Sequence, residues 1–138
     1  MATIKAYTDI EQSKKLAEIL PIESADYTHL GKDEDNVLTR SYFESCSSEL
    51  KEWIGKDEIY PCWSLTSLLD ILPKEYTNSK NQVCTLHIDI VDSETPYLMW
   101  YANPEHEGSI VEIKTKEYSN LIDACYEMVL KLHESNML

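Results

Sequence analysis

The stretch VCTLHIDIV, residues 83–91, decides the fold class. Leu86, Ile88 and Ile90 fall on one side of it and His87 and Asp89 on the other, a period of 2 that belongs to an extended chain. The reading is a half-buried β-strand. Downstream, PYLMWYA (96–102) is apolar on both sides, as a central or doubly covered strand requires, and SIVEIKT (109–115) alternates again. The connection NPEHEG (103–108) is rich in turn formers, so an antiparallel hairpin is the economical arrangement. The chain closes with SNLIDACYEMVLKLHESNML (119–138), where Leu121, Ile122, Cys125, Met128, Val129 and Leu132 make a wide apolar stripe. A helix over about 120–134 follows, capped by Ser119 or Asn120.

Upstream of the polar linker KEYTNSKNQ (74–82) the period is 3.6 instead. In EIYPCWSLTSLLDILP (58–73), Leu65, Leu68, Leu69 and Leu72 follow i, i+3, i+4, i+7, the face of a buried helix. Ser64 stands where an N-cap belongs, and Pro73 ends the unit. Further back, SSELKEWIGKD (47–57) suggests a helical turn with Leu50, Trp53 and Ile54 inward, ended by Gly55. Two strands are expected near 24–30 and 37–43, joined by a loop around GKDEDN. At the start, Thr8 and Glu11 have capping-box spacing, which predicts a helix over 9–20 with Ile10, Leu16, Ala17 and Leu20 on one stripe and Pro21 beyond it. These elements predict an α+β fold, an antiparallel β-sheet with about three helices packed mainly on one face, in a single domain over 1–138.

Composition bounds what such a domain can bind. The chain has 138 residues, 43% hydrophobic and 27% charged, ample for a core without staples. Its 25 acidic residues against 12 basic ones leave a net charge of −13. Phosphate backbones and anionic lipid surfaces repel such a chain, so no direct nucleic-acid partner and no membrane partner are expected. Carboxylates arranged as a ridge could instead imitate DNA and occupy a nucleic-acid-binding protein. The first residues lack a secretory signal and no window approaches a membrane span, which makes the cytoplasm the expected compartment. Cys46, Cys62, Cys84 and Cys125 have no paired-ligand spacing and read as reduced, mostly buried thiols.

Several residues could carry chemistry. Cys62 followed by Trp63 at a helix start has the look of an activated thiol, since a helix N-terminus lowers a thiol pKa. The Gly-Ser run of papain-like proteases does not precede it, however, and Cys62 lies two residues outside the helix if Ser64 is the cap. Cys62 is therefore read as a structural thiol, and a Cys62→Ala variant is expected to fold normally. His87 and Asp89 share a strand face at i, i+2 and are weak candidates for a metal or acid/base site, with Asp92, Glu94, His106 and Glu107 in nearby connections. Two ligands alone do not define a site, so no metal and no cofactor is assigned. With three glycines in all, the chain has no phosphate-cradling loop, and it lacks the G-x-S-x-G and H-E-x-x-H motifs. Among the aromatics, Tyr60, Trp63, Tyr97 and Tyr101 are candidates for an interaction surface or, equally, for the core.

Pro61, Trp63, Ser64 and Leu65, followed after a strand hairpin by Asp123, Ala124, Glu127 and Met128, carry a resemblance. The pattern is similar to small proteins encoded by gut Bacteroides and related bacteria, their phages and mobile elements, a group with no established activity. It covers about the last 80 residues well and the N-terminal part more loosely, while HIDIVDSETPYLMWY departs from it. The resemblance also gives Trp63 the reading of a hydrophobic staple onto Leu68. The missing enzyme motifs and the acidic, aromatic-rich composition favour a non-catalytic accessory protein of a phage or mobile element that works through an unidentified protein partner, with homo-oligomerisation open. The alternatives are the acidic DNA mimic and a metal-assisted enzyme with a site near His87 and Asp89.

Overall fold

The computed structural model describes residues 5–31, 37–48, 59–91, 93–103 and 111–138. The chain forms two compact units, residues 6–68 and residues 1–5 with 69–138. Each contains an antiparallel sheet with helices, so the fold is α+β; among the described residues there are two sheets where one was expected and four α-helices where about three were. No helix among the described residues is long and apolar enough to cross a membrane.

In the unit of residues 6–68, helix α1 (Ile10–Ala17) precedes strands β1 (Tyr27–Leu30) and β2 (Val37–Thr39), helix α2 (Arg40–Ser45) and strand β3 (Ile59–Cys62). Helix α3 (Leu65–Ile71) begins here and carries the chain into the next unit. The sheet order is β2-β1-β3, with Thr28 opposite Leu38 on one side and Pro61 on the other. Strand β3 was not anticipated, because Pro61 argues against a strand interior. Its place at the end of the sheet order among the described residues resolves this, since an outer strand tolerates a missing N–H.

Two expectations shift at the ends of these elements. The second strand stops at Thr39, whose Oγ1 accepts from Tyr42 N at 3.2 Å and starts α2, reinforced by an Arg40–Glu44 ion pair of 2.9 Å. The capping box of α1 is carried by Asp9 and Gln12, one residue later than Thr8 and Glu11. Thr8 is diverted by tertiary bonds: its N–H donates to the Trp63 carbonyl at 2.9 Å and its Oγ1 accepts from Trp63 N at 3.1 Å. The turn expected around Leu50, Trp53, Ile54 and Gly55 lies outside the described residues.

The other unit holds β4 (Glu75–Thr77), β5 (Val83–Ile90), β6 (Tyr97–Ala102), β7 (Val111–Lys114) and helix α4 (Leu121–Glu134), with sheet order β4-β5-β6-β7. The expected hairpin is present, Trp100 facing Lys114 and Tyr101 facing Ile113. The segment read as a polar linker forms β4 and a turn, in which Asn78 Oδ1 accepts from the Lys80 and Gln82 amides at 3.0 and 2.9 Å. Strand β6 is central, and Leu98, Met99, Tyr101 and Ala102 are buried, matching its two-sided apolar sequence. Helix α4 packs on β6 and buries Ile122, Ala124, Cys125, Met128, Val129 and Leu132. Asn120 is its cap, with Oδ1 accepting from Asp123 N at 2.9 Å. Its other end is a Schellman motif: Met137 N donates to Leu132 O, Asn136 N donates to His133 O, and Asn136 takes φ 57°.

Candidate functional site

Trp63 and Ser64 lie at the centre of a polar cluster among the described residues of the 6–68 unit. Ser64 is the cap expected from the sequence, its Oγ accepting from Ser67 N at 3.3 Å. The cap is itself held by Asp26, which accepts from Ser64 N at 2.9 Å and from the Ser64 hydroxyl. A carboxylate there also faces the positive end of α3. Trp63 is fully buried, and its Nε1–H donates to Ser24 Oγ at 2.9 Å. The fully buried Leu68, its expected staple partner, lies one turn along.

Cys62 borders this cluster and is fully buried. Burial, then the Asp26 charge, pushes its thiol up to about 12, against a smaller opposing contribution from a His29 backbone hydrogen bond. The thiolate a nucleophile needs is thereby disfavoured rather than promoted. His29, also buried, has Nε2 at 2.8 Å from the Thr8 carbonyl oxygen. A carbonyl only accepts, so Nε2 carries a proton, while Nδ1 is buried and without a hydrogen-bond partner. His29 thus anchors Thr8, and the Ser64 proton is directed to Asp26 instead of to an imidazole. Neither Asp26 nor His29 was singled out from the sequence, because each acts across 38 and 21 residues respectively.

In residues 69–138 the structure brings together His87 and Asp89 through Trp100. The His87 ring stacks on the Trp100 indole with centroids 4.2 Å apart and planes 15° apart. Asp89 Oδ2 accepts from Trp100 Nε1 at 2.9 Å, and His87 Nε2 lies 2.9 Å from Thr85 Oγ1. The i, i+2 pair is thus spent on clasping an indole across the β5–β6 pairing, where His87 stands opposite Trp100. Trp100 itself, in the strand read as apolar on both sides, is half-buried on this face. Glu94 is exposed, and Asp92, His106 and Glu107 lie outside the described residues. Among the described residues no group of three or more His, Cys, Asp or Glu side chains is placed to share a metal ion.

The aromatic candidates separate by burial. Trp63 and Tyr101 are fully buried, so they take the core role rather than lining a surface, and the Tyr101 hydroxyl donates to the Pro73 carbonyl at 2.7 Å. Tyr60 and Tyr97 are half-buried. The Lys14 ammonium lies 5.0 Å from the Tyr60 ring centroid, and Tyr97 exchanges two backbone hydrogen bonds with Tyr118. Comparison with protein-family models, curated proteins and solved structures finds no match.

The residues that carry the motif resemblance all have structural work. Pro61 lies in β3, Trp63 fills the core, and Ser64 and Leu65 begin α3. Asp123 pairs with Lys5 at 2.8 Å, Ala124 and Met128 are fully buried, and Glu127 Oε2 accepts from Lys116 N at 2.9 Å. The exposed large apolar side chains are elsewhere: Ile22 (55% exposed), Tyr42 (61%), Ile88 (41%) and Ile90 (78%) among them. Ile88 and Ile90 continue the stripe that begins at buried Cys84 and half-buried Leu86, so the face read as half-buried is covered at one end and open at the other.

Proposed function

We propose that the protein is a non-catalytic cytoplasmic accessory protein that acts by binding another protein, in the class of small phage- and mobile-element-encoded proteins its motifs resemble. The observation that carries this reading is the division of labour among side chains. The groups best suited to chemistry, Cys62, His29, His87 and Asp89, are buried or engaged by neighbours, whereas Ile88 and Ile90 stand open to solvent. Open isoleucines gain free energy when a partner covers them, about 25 cal/mol for each Å² of apolar surface removed from water.

The test is site-specific photo-crosslinking in host cells, with the crosslinker placed in turn at positions 22, 42 and 90. A discrete protein adduct from at least one position supports the reading. Adducts from none of the three, with a strictly monomeric protein by light scattering, would sink it. A turnover abolished by Cys62→Ala or His87→Ala would replace it with an enzyme.

A further inference from the structure

We infer that the outer edge of β5 at Ile88 and Ile90 receives an extended, basic segment of a partner protein by strand addition; this deepens the protein-binding reading and rests on it. The backbone geometry supplies the first argument. Leu86 N donates away from β6, to the Lys74 carbonyl at 2.9 Å, whereas Val91 N donates toward the β6 side, to the Pro96 carbonyl at 2.8 Å. Successive residues of a strand direct their N–H and C=O groups to opposite sides. His87 and Asp89 therefore bond β6, and the N–H and C=O of Ile88 and Ile90 point outward. The β4 ladder covers Val83 to Thr85 only, and among the described residues no strand pairs with β5 beyond it.

Side chains supply the second argument. Natural sheets blunt their edges with charged side chains, proline or bulges, and the segment from Leu86 to Ile90 has no proline, lysine or bulge, its one carboxylate being Asp89. Its isoleucines are instead 41% and 78% exposed. Two outward residues with open apolar side chains form the template that strand-addition domains offer to extended peptides.

Charge decides the occupant. A second copy pairing antiparallel through the same outward groups would set Ile88 against Ile90 of its mate. That register places the two copies of Asp89 directly opposite each other, in the close pairing where like charges destabilise a sheet. Each chain also carries a net charge of −13. A partner strand with apolar residues facing the isoleucines and Lys or Arg opposite Asp89 converts that repulsion into attraction.

The probe is the peptide acetyl-Lys-Val-Lys-Val-Lys-Val-amide, titrated into the full-length ¹⁵N-labelled protein. Two controls accompany it: the same peptide with Glu for Lys, and a version N-methylated at every residue. The basic peptide should slow amide exchange of Ile88 and Ile90 while leaving Asp89 and Val91, already bonded on the β6 side, unchanged. Both controls should bind at least tenfold more weakly. Ile90→Pro and, as a gentler change, Ile90→Asp should each lower affinity for the basic peptide at least tenfold, and Asp89→Lys should transfer the preference to the Glu peptide. Equal binding of either control, or protection confined to other residues, overturns the inference. So does a concentration-dependent dimer in which Ile88 and Ile90 are protected without peptide, which would make the occupant a second copy. Crosslinks at positions 22 or 42 combined with a silent β5 edge would refute strand addition and leave the protein-binding reading standing.

Discussion

Ser64 is the residue whose role is most completely specified, because its own hydroxyl caps α3 and Asp26 in turn holds that hydroxyl. Losing an N-cap costs about 1 kcal/mol. Here it also leaves a carboxylate oxygen short of a donor, which moves Ser64→Ala toward about 2 kcal/mol. Urea unfolding should show this, and a cycle with Asp26→Ala should show coupling of about 0.5 kcal/mol or more; simple additivity would mean the two side chains act separately. Thr8 and Asp9 separate a tertiary bond from a local cap. Asp9→Ala removes a capping-box member at about 1 kcal/mol. Thr8→Val removes the buried acceptor of Trp63 N at about 2 kcal/mol. Cys62→Ala should fold, as its sequence context implies, but its complete burial sets a loss of about 1 kcal/mol. Of the four thiols, Cys46 alone is not buried, so it alone should react promptly with a thiol reagent in native protein.

At the level of elements, helices were the most legible because their signals are local. The leucine stripe of α3, the Asn120 cap of α4 and the limits of both helices follow from residues within a turn or two of each other. The Schellman end of α4 is equally local: Asn136 holds a left-handed conformation that asparagine tolerates and a β-branched residue does not. Asn136→Val should therefore lower the thermal midpoint and Asn136→Gly should preserve or raise it. Strands β3 and β4 were harder to read. Pro61 mimics a breaker until its position in the sheet order is known, and β4 is three residues of polar-looking chain defined by its partner β5. The helical start at Arg40 was hidden because Thr39 belongs both to a strand pairing and to a cap.

For the whole molecule, buried thiols predict a base-labile fold in both units. Cys62 in one and Cys125 in the other are each pushed up to about 12, chiefly by burial. In the unfolded chain a thiol ionises near pH 8.5, so above that pH the unfolded state releases protons that the native state keeps. Their contribution is complete below about pH 8.5 and is lost progressively as pH rises from there toward about 12. Denaturant titrations at pH 8 and pH 10 should show the loss, and Cys62→Ala with Cys125→Ala should flatten it; an unchanged slope would refute the assignment. The α+β class, the antiparallel β6–β7 hairpin and the caps of α3 and α4 were determined by sequence alone, because period and capping there depend on residues close in the chain. The fate of each site residue was decided only by tertiary structure. Whether His87 and Asp89 meet a metal or clasp Trp100, whether Tyr101 is surface or core, and whether Ile88 and Ile90 are covered all depend on which strands lie alongside. Those neighbours come from distant parts of the chain, and burial and pairing arise only when they meet.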